Sequence, residues 1–209
     1  MKVLVACEFS GVVREAFRAK GHDAWSCDLL PSDDNSSFHI KGDVLEILED
    51  GWDLMIAHPP CTHLAVSGSR WFKEKIADGR QQAALDFVKR LMDAPIPKIC
   101  VENPVSVISS KIRKPDQIIQ PYHFGHGAMK TTCLWLKNLP NLKPTEIVDR
   151  EYIISKKGVR YTKWSYDTFN LPKEIRAKER SRTFQGIATA MANQWGSVTA
   201  PLAAQKTLL

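Results

Sequence analysis

The sequence lacks the features that mark membrane-spanning, disulfide-stabilised and zinc-binding proteins. No apolar run approaches the roughly 18 to 20 residues that a membrane-spanning helix needs, and the first residues carry a single Lys before a short apolar stretch. The five cysteines are scattered and odd in number, with neither a CxxC pair nor a Cys/His spacing suited to zinc. We therefore expect a cytoplasmic protein with reduced thiols, no membrane association and no metal site.

The composition is ordinary for one globular domain, but the positive charge is unevenly placed. The chain has 209 residues, 44% of them hydrophobic and 25% charged, and it contains no internal repeat. Residues 1–140 hold 17 Lys and Arg against 17 Asp and Glu, whereas residues 141–182 hold 11 against 6. A basic segment beside a neutral body favours a phosphate-bearing partner, although a merely solvated basic surface stays an open alternative.

The first half of the chain alternates between strand-like and helix-like segments. KVLVACEF predicts a strand, SGVVREAFRAKG a helix ending near Gly21, and DAWSCD a second strand. WDLMIA and PKICVENP predict further strands, with an amphipathic helix beginning near Asp78 between them. This alternation predicts an α/β fold with a mostly parallel sheet, helices on both faces and ligands at the carboxyl ends of strands. The turn SGVVRE lacks the GxGxxG spacing, which argues against a dinucleotide-dependent oxidoreductase.

The second half of the chain follows a different pattern. IIQPYHFGHGAMKTTCLWLKNLP predicts two strands around a Gly-rich bend, and EYIISKKGVRYTKWSYDTF alternates like a hairpin that turns at Lys157 and Gly158. The Ala-rich stretch TFQGIATAMANQWGSVTAPLAAQ predicts a final helix and a tail that frays from about Ala200. We expect an α/β domain in residues 1–141, a small basic β-rich segment in residues 142–182, and a C-terminal helix and tail in residues 183–209.

Two predicted strand ends carry groups that could perform covalent chemistry together. A lone cysteine after a strand is usually a small buried hydrophobe, but Cys61 follows Pro59 and Pro60, whose fixed dihedrals suit a rigid loop. Glu102 ends the apolar run ICVEN, where partial desolvation would raise its pKa and let it hold a proton near neutral pH. His58 and His63 flank the first loop; they could act as a base or contact phosphate, although ordinary polar loop residues are the more common case.

An ordered set of motifs runs through most of the chain: EFSG, GDV, HPPCT, VENP, FGHGAMKTTCLWL and FQGIATAMA. Together they resemble the DNA (cytosine-5)-methyltransferase family in a short phage-type form with a reduced target-recognition region. The combination of PPC with EN about 40 residues later is its most specific part. The resemblance implies a Rossmann-like class I methyltransferase fold and methylation of cytosine in DNA.

The resemblance also implies S-adenosylmethionine as the methyl donor. Phe9 would lie beside the adenine, Asp28 would accept the ribose hydroxyls and Asp43 would contact the adenine amino group. Pro59 would line the pocket where the donor meets the base. The implied cofactor contacts are Phe9, Ser10, Gly11, Asp28, Asp43 and Pro59.

The implied catalytic residues surround a cytosine that must be flipped out of the duplex, because its 6-carbon is stacked out of reach inside it. Cys61 would add to the 6-carbon while Glu102 protonates the ring nitrogen, which makes the 5-carbon nucleophilic. Asn103 would support the loop of Glu102, Pro60 would line the base pocket and Lys130 would contact the base carbonyl or a phosphate. Since a free thiol is only a few per cent ionised at neutral pH, the site must favour the thiolate or deprotonate the thiol on attack.

The chain departs from the family pattern at three places. Val12, Val13 and Arg14 stand where further glycines are usual, which we expect to reshape the pocket near the methionine end of the donor. Ala128, Lys130 and Thr132 replace a glutamine and two arginines that support the flipped base. The recognition region has only about 40 residues, 142–182, so we expect short or relaxed sequence specificity.

That short region interleaves cations with aromatic side chains, a mixture that suits phosphate contact and base stacking. The aromatic members are Tyr152, Tyr161, Trp164 and Tyr166. The predicted DNA-binding residues are Arg150, Lys156, Lys157, Arg160 and Lys163.

Two other functions stay open from the sequence. The same chemistry could act on a free pyrimidine nucleotide or with a transferred group other than methyl, because the recognition region is small and the donor turn is altered. The scaffold could also be a nucleic-acid-binding domain without turnover, although the pairing of Cys61 with Glu102 argues against that. The sequence does not indicate an oligomeric state, and a monomer is the default.

Overall fold

A seven-stranded sheet forms the framework of residues 1–197, the part of the chain that the computed structural model describes. The strand order is β3-β2-β1-β4-β5-β7-β6. The strands are β1 (Lys2–Ala6), β2 (Asp23–Asp28), β3 (His39–Lys41), β4 (Leu54–Ala57), β5 (Lys98–Pro104), β6 (Gln117–Ile119) and β7 (Thr132–Lys137). The expected fraying tail beyond about Ala200 lies outside the described residues.

The sheet is mostly parallel, as the alternating sequence pattern predicts. Strands β1 to β5 run in one direction, and β7 runs antiparallel to both of its neighbours, β5 and β6. The chain moves outward from β1 to β3 and then returns to place β4 on the other side of β1. In open α/β sheets such a reversal of strand order leaves a crevice at the carboxyl ends, where ligands bind.

Helices cover both faces of the sheet, which confirms the predicted Rossmann-like α/β architecture. On one face α1 (Val12–Arg18) packs against α7 (Gln185–Trp195), and on the other α3 (Arg80–Met92) packs against β5. The remaining helices of the main body are α2 (Phe72–Ala77) and α4 (Ile108–Lys111). α1 is shorter than expected, and Gly21 lies in the following turn with a φ of 78°.

The central strands are buried on both faces because their side chains alternate between two hydrophobic layers. In β1, Val3 and Val5 join the layer of α1 and α7, whereas Leu4 and Ala6 join the layer of α3. A strand covered on both sides reads as a continuous apolar run, which explains sequences such as LMIA in β4. The polar residues that follow these strands therefore emerge at the sheet edge.

The basic segment at residues 142–182 contains a hairpin and two helices. The hairpin pairs β8 (Tyr152–Ile154) with β9 (Arg160–Thr162), and its turn includes Lys157 and Gly158 as predicted. The expected second strand extends too far, because KWSYDTF forms α5 (Lys163–Phe169), which is followed by α6 (Lys173–Ser181). Within residues 1–197, no helix combines the length and apolar character that crossing a membrane requires.

Candidate active site

The carboxyl ends of β4 and β5 bring two titratable side chains into contact. Ala57 of β4 is the register partner of Val101 of β5, so the next residues, His58 and Glu102, lie side by side. The distance from His58 Nδ1 to Glu102 Oε2 is 2.8 Å. Because a carboxylate accepts, Nδ1 carries the proton of this bond when Glu102 is ionised.

The loop that carries Cys61 is tied to the neighbouring strand and to the helical segment that follows it. Asn103 Nδ2 donates to the Pro59 carbonyl at 2.9 Å, and Asn103 itself is 1% exposed. The Cys61 carbonyl accepts the N–H groups of Leu64 and Ala65 at 3.0 and 2.9 Å. Lys75 Nζ donates to the Thr62 carbonyl at 2.6 Å. These bonds fix the backbone on both sides of Cys61, in addition to the stiffness of the two prolines.

Cys61 is the exposed cysteine among the five of the chain. Cys27, Cys100 and Cys133 are buried, and Cys7 is intermediate, with burial as the main cause that raises its pKa to about 12. A nucleophile must be reached by its substrate, and the other four thiols are withheld by packing or by this high pKa. The position of Cys61 is the one that the sequence analysis singles out.

The thiol of Cys61 is neutral in the resting site at physiological pH. Desolvation is the main cause that raises its pKa above the ordinary thiol value, and the negative charge of Glu102 raises it further. The positive charges of Lys130 and Lys75 oppose this shift without cancelling it. A nucleophilic role for Cys61 would therefore require removal of the thiol proton before or during attack.

The ionisation of Glu102 differs from the sequence-based expectation. Burial does raise its pKa, as expected, but the hydrogen bond from His58 and the charges of Lys130 and His58 more than offset it. The resulting pKa lies below the ordinary glutamate value. The prediction that Glu102 holds a proton near neutral pH is therefore wrong for the resting site, where it is a carboxylate.

Lys130 stands close enough to influence both groups. Its Nζ donates to the Arg182 carbonyl at 3.0 Å, and its backbone N–H donates to Gln120 Oε1 at 3.1 Å. The cation therefore lies between the segment before α7 and the side chains of His58, Cys61 and Glu102, which we call the strand-end cluster. Ala128 and Thr132, which the resemblance aligns with base-supporting residues, are 3% and 4% exposed and belong to the packed interior.

A cavity of about 440 Å³ lies beside the cysteine loop, a size in the range of small-molecule sites. Two of the predicted cofactor residues, Asp28 and Asp43, line it together with Pro60. One oxygen of each carboxylate accepts a backbone N–H, from Leu30 at 2.9 Å and from Leu45 at 3.0 Å, which leaves the second oxygen for a ligand. The further lining is mostly apolar and includes Val44, Leu45, His63, Ala83, Ala84 and Phe87.

Phe9 and Ser10 line a second, smaller cavity of about 50 Å³ with His58 and Arg182. Cys7 lines both cavities, so the two are neighbours along the end of β1. Phe9 also lies beneath the Lys178 ammonium, which is 5.7 Å from the ring centroid. Four of the predicted cofactor residues are thus divided between two adjoining cavities, Phe9 and Ser10 in the smaller one and Asp28 and Asp43 in the larger one. Gly11 and Pro59 line neither of these two cavities.

Gly11 has a structural requirement of its own in this turn. Its φ is 73°, and a Cβ at this position would collide with the guanidinium of Arg14. Arg14 is fully buried, bonds to Ser26 at 2.8 Å and forms an ion pair with Asp34. Val13 packs in the core. Val12 packs against the same core. The expectation that Val12, Val13 and Arg14 reshape the donor pocket stays a prediction, and the structure shows that Val13 and Arg14 are buried.

The five predicted DNA-binding cations lie on the exposed surface of the hairpin region. Lys156 and Lys157 occupy the hairpin turn. Arg160 lies 3.6 Å from the centroid of the Tyr152 ring, and Arg150 lies 5.8 Å from the same ring. Lys163 pairs with Asp167 at 2.9 Å. Three of the five cations thus have intramolecular partners on the surface.

The sequence reasoning undervalued His58, which the structure pairs with Glu102. Its position directly after a buried strand, like that of Glu102, was a usable signal. The strand register that makes them partners links residues 44 positions apart and is absent from any local pattern. His63, by contrast, lines the larger cavity, and its carbonyl accepts Gln81 Nε2 at 3.2 Å.

Comparison with known proteins supports the fold. No protein-family model and no curated protein matches this sequence. One similar solved structure is described as a DNA modification methyltransferase encoded within a prophage of E. coli, at 17% sequence identity and a TM-score of 0.50. The match covers 70% of this chain and 51% of that chain, so it spans about half the length of the solved protein. At this identity the likeness shows that the two share a Rossmann-like α/β fold.

Proposed function

We propose that this protein transfers a methyl group from S-adenosylmethionine to the 5-carbon of cytosine in DNA through a covalent adduct with Cys61. The observation that carries the proposal is the pairing of an exposed thiol on an anchored loop with Glu102 at the adjoining strand end. The description of the similar solved structure as a DNA modification methyltransferase supports the general class of reaction.

The larger cavity suits the nucleoside part of the cofactor. The free carboxylate oxygens of Asp28 and Asp43 can accept hydroxyl and amino donors, and the apolar walls can cover an adenine ring. When bound, S-adenosylmethionine would supply an electrophilic methyl group, whose bond to the sulfonium sulfur breaks on transfer and leaves the neutral thioether S-adenosylhomocysteine. Phe9 and Ser10 are assigned to the same cofactor, because their cavity adjoins the larger one. Gly11 and Pro59 are assigned to it as the chain neighbours of Ser10 and of Pro60, which line the two cavities.

The ionisation of the resting site determines how attack on cytosine begins. Glu102 is a carboxylate and Cys61 is a thiol, so the carboxylate can take the thiol proton and pass it to the ring nitrogen. The sulfur then forms a bond to the 6-carbon, and the electrons of the 5,6 double bond make the 5-carbon nucleophilic toward the methyl group. Lys130 donates to the base carbonyl.

After methylation the site reverses its first proton transfer. The 5-carbon loses its proton to solvent, the bond between sulfur and the 6-carbon breaks, and the 5,6 double bond re-forms. The ring nitrogen returns its proton to Glu102, which restores the Cys61 thiol. Pro60 and Asn103 keep the sulfur and the carboxylate in place through the cycle, because they fix the loops that carry them.

The basic segment would hold the DNA while the base is flipped. Lys156, Lys157, Arg150, Arg160 and Lys163 can contact phosphates, and the half-exposed Tyr161 ring can stack on a base. The hairpin strands are three residues each and reach only a few base pairs, so recognition of a short or relaxed sequence is expected.

Incubation with donor labelled in the methyl group tests the proposal directly. The expected result is label on cytosine of duplex DNA, recovered as 5-methylcytosine after digestion to nucleosides. Label on dCMP but not on DNA would favour the free-nucleotide alternative. DNA binding without label on either substrate would favour the non-catalytic alternative.

A further inference from the structure

The hydrogen bond between His58 and Glu102 links the ends of two adjacent central strands. Its length is 2.8 Å, and the two side chains are 9% and 13% exposed. The bond occupies Oε2 of Glu102, and within residues 1–197 the other oxygen, Oε1, has no hydrogen-bond partner. A carboxylate with one oxygen held and the other available has a defined orientation toward a substrate.

We propose that His58 is the positioning residue of Glu102: its Nδ1–H fixes Oε2 and thereby directs Oε1 to the thiol proton and then to the ring nitrogen of cytosine. The inference rests on the proposed function, and it assigns to His58 a role that acts through Glu102. His58 itself does not touch the reacting atoms.

Burial makes this donor necessary. A desolvated carboxylate without a hydrogen-bond donor favours its protonated form, and a protonated Glu102 cannot accept the proton of Cys61. Lys130 supplies the other favourable charge, but it acts on Glu102 through its charge, and the side-chain hydrogen bond that lowers the Glu102 pKa comes from His58. His58 is therefore the group that both stabilises the carboxylate and restricts its rotation.

Other titratable groups also face this pair. The negative charge of Glu102 raises the pKa of three thiols, on the cysteine loop, on β5 and on β7: those of Cys61, Cys100 and Cys133. His58 borders the smaller cavity, whose other charged or titratable lining groups are Cys7, Glu8 and Arg182. Glu8 is committed to the backbone N–H groups of Val13 and Arg14 at 2.7 and 3.1 Å. It is therefore not a competing partner for the imidazole.

The second ring nitrogen of His58 is consistent with this arrangement. Nε2 is buried and has no hydrogen-bond partner within residues 1–197. In the neutral imidazole with Nδ1 protonated, Nε2 is an acceptor, and the adjoining cavity of about 50 Å³ is large enough to admit a water molecule that donates to it. The opposite tautomer would place a lone pair against the carboxylate and break the link.

The first test measures the unaltered protein. Nitrogen-15 shifts of the histidine rings should show His58 protonated at Nδ1 throughout the pH range in which Glu102 is ionised. A neutral His58 protonated at Nε2 instead would overturn the proposal. This measurement does not require any variant to fold.

The second test compares His58→Asn, which can keep an N–H donor near the Nδ1 position, with His58→Leu, which removes it. The Glu102 carboxyl is titrated by carbon-13 resonance in the full chain, with its signal assigned by comparison with Glu102→Gln. The midpoint of this titration should shift to higher pH in His58→Leu and stay close to that of the unaltered protein in His58→Asn. The acid limb of kcat/KM should move in the same direction. At neutral pH, His58→Leu should lose about 10- to 100-fold in kcat/KM, by analogy with the loss of a hydrogen bond that orients a metal-ligating side chain.

A merely structural link between β4 and β5 gives a different pattern. A folded His58→Leu with an unchanged Glu102 titration and an unchanged acid limb would refute the positioning role, as would equal defects in the two variants. His63→Leu is the matched control, because it removes a nearby histidine and should leave the midpoint of the Glu102 titration unchanged. If the unaltered protein labels no DNA, the proposed function fails, whereas the nitrogen and carbon titrations still decide the link between His58 and Glu102.

Discussion

The strand-end cluster and the basic hairpin segment use polar residues in opposite ways. In the cluster, His58 and Glu102 are 9% and 13% exposed and bond to each other across two strands. In the segment, the Lys163 and Asp167 side chains of a comparable ion pair are 54% and 51% exposed. Exposed pairs of this kind contribute about 0 to 1 kcal/mol and exchange partners readily.

This difference matches what each region would have to do. Covalent chemistry needs a nucleophile and a carboxylate held within a fraction of an ångström, which buried bonds and prolines provide. Phosphate contact needs available charge and tolerates motion, which exposed lysines on a hairpin turn provide. Substitutions in and around the strand-end cluster should therefore change methylation, stability or cofactor affinity, whereas substitutions in the basic segment should change DNA affinity and its salt dependence.

The largest expected effect is on the nucleophile. Cys61→Ala should lower DNA methylation by on the order of 10³-fold or more and should abolish the covalent complex with DNA containing 5-fluorocytosine. Denaturing gels and label incorporation measure the two effects, and Cys133→Ala, in buried β7, is the control for removing a thiol. Full activity of the Cys61 variant would show that the nucleophile is misassigned.

The next comparison is between the turn at Gly11, which follows β1, and the hairpin turn at Gly158. It tests whether a substitution in the first turn lowers the free energy of unfolding more than the same substitution in the second. Gly11→Ala should lower the free energy of unfolding by about 3 kcal/mol or more, because a positive φ is strained and the buried Arg14 must shift. Gly158→Ala has a similar φ of 75° but meets no atom within 4 Å, so it should cost about 1 kcal/mol. Urea unfolding measures both, and equal losses would remove the contrast between the regions.

The third prediction concerns binding of the cofactor in the cavity beside the cysteine loop, which Asp28 lines. Asp28→Ala should raise the Kd of S-adenosylmethionine about tenfold or more, since a hydrogen bond to a charged group contributes about 1.5 to 3 kcal/mol. Titration calorimetry measures the change. Asp23→Ala, at the other end of β2, is the matched control. An unaltered Kd for the Asp28 variant would place the donor elsewhere.

The smallest effect is expected in the basic segment. Replacing Lys156 and Lys157 by Ala together should weaken DNA binding several-fold and reduce the slope of log K against log salt by about 1 to 2, one for each lost phosphate contact. The effect should fall on KM more than on kcat. Lys89→Ala with Arg90→Ala in α3 removes the same charge from another surface, and an equal loss there would indicate nonspecific attraction.

Several features of the fold could be predicted because they depend on local pattern. Apolar runs bounded by Gly, Pro and acidic residues mark β1, β2, β4 and β5, and two prolines before a cysteine mark a rigid loop. In the segment KWSYDTF, aromatic residues alternate with polar ones, a pattern that predicts a strand. In the structure it is helical, and Trp164 packs against Phe184 with 5.3 Å between ring centroids. Tertiary packing outweighed a short pattern.

The ionisation of Glu102 could not be predicted from its neighbours in the sequence, because it too depends on tertiary contacts. The apolar neighbours in ICVEN correctly indicate desolvation, which raises the pKa. The sequence gives no sign of His58 as a donor or of Lys130 as a nearby cation, and these two reverse the net direction. A pKa depends on every charge within several ångströms, and most of those charges come from distant parts of the chain.

The sequence by itself determined the alternation of strands and helices, the exposed loop with Cys61 and the concentration of positive charge in residues 142–182, because each is set by neighbouring residues. The tertiary structure alone decided that His58 bonds to Glu102, that Arg14 is buried beneath Gly11, and that Phe9 and Ser10 line one cavity while Asp28 and Asp43 line the adjoining one. Strand register and helix packing set these contacts, and both join residues far apart in the chain.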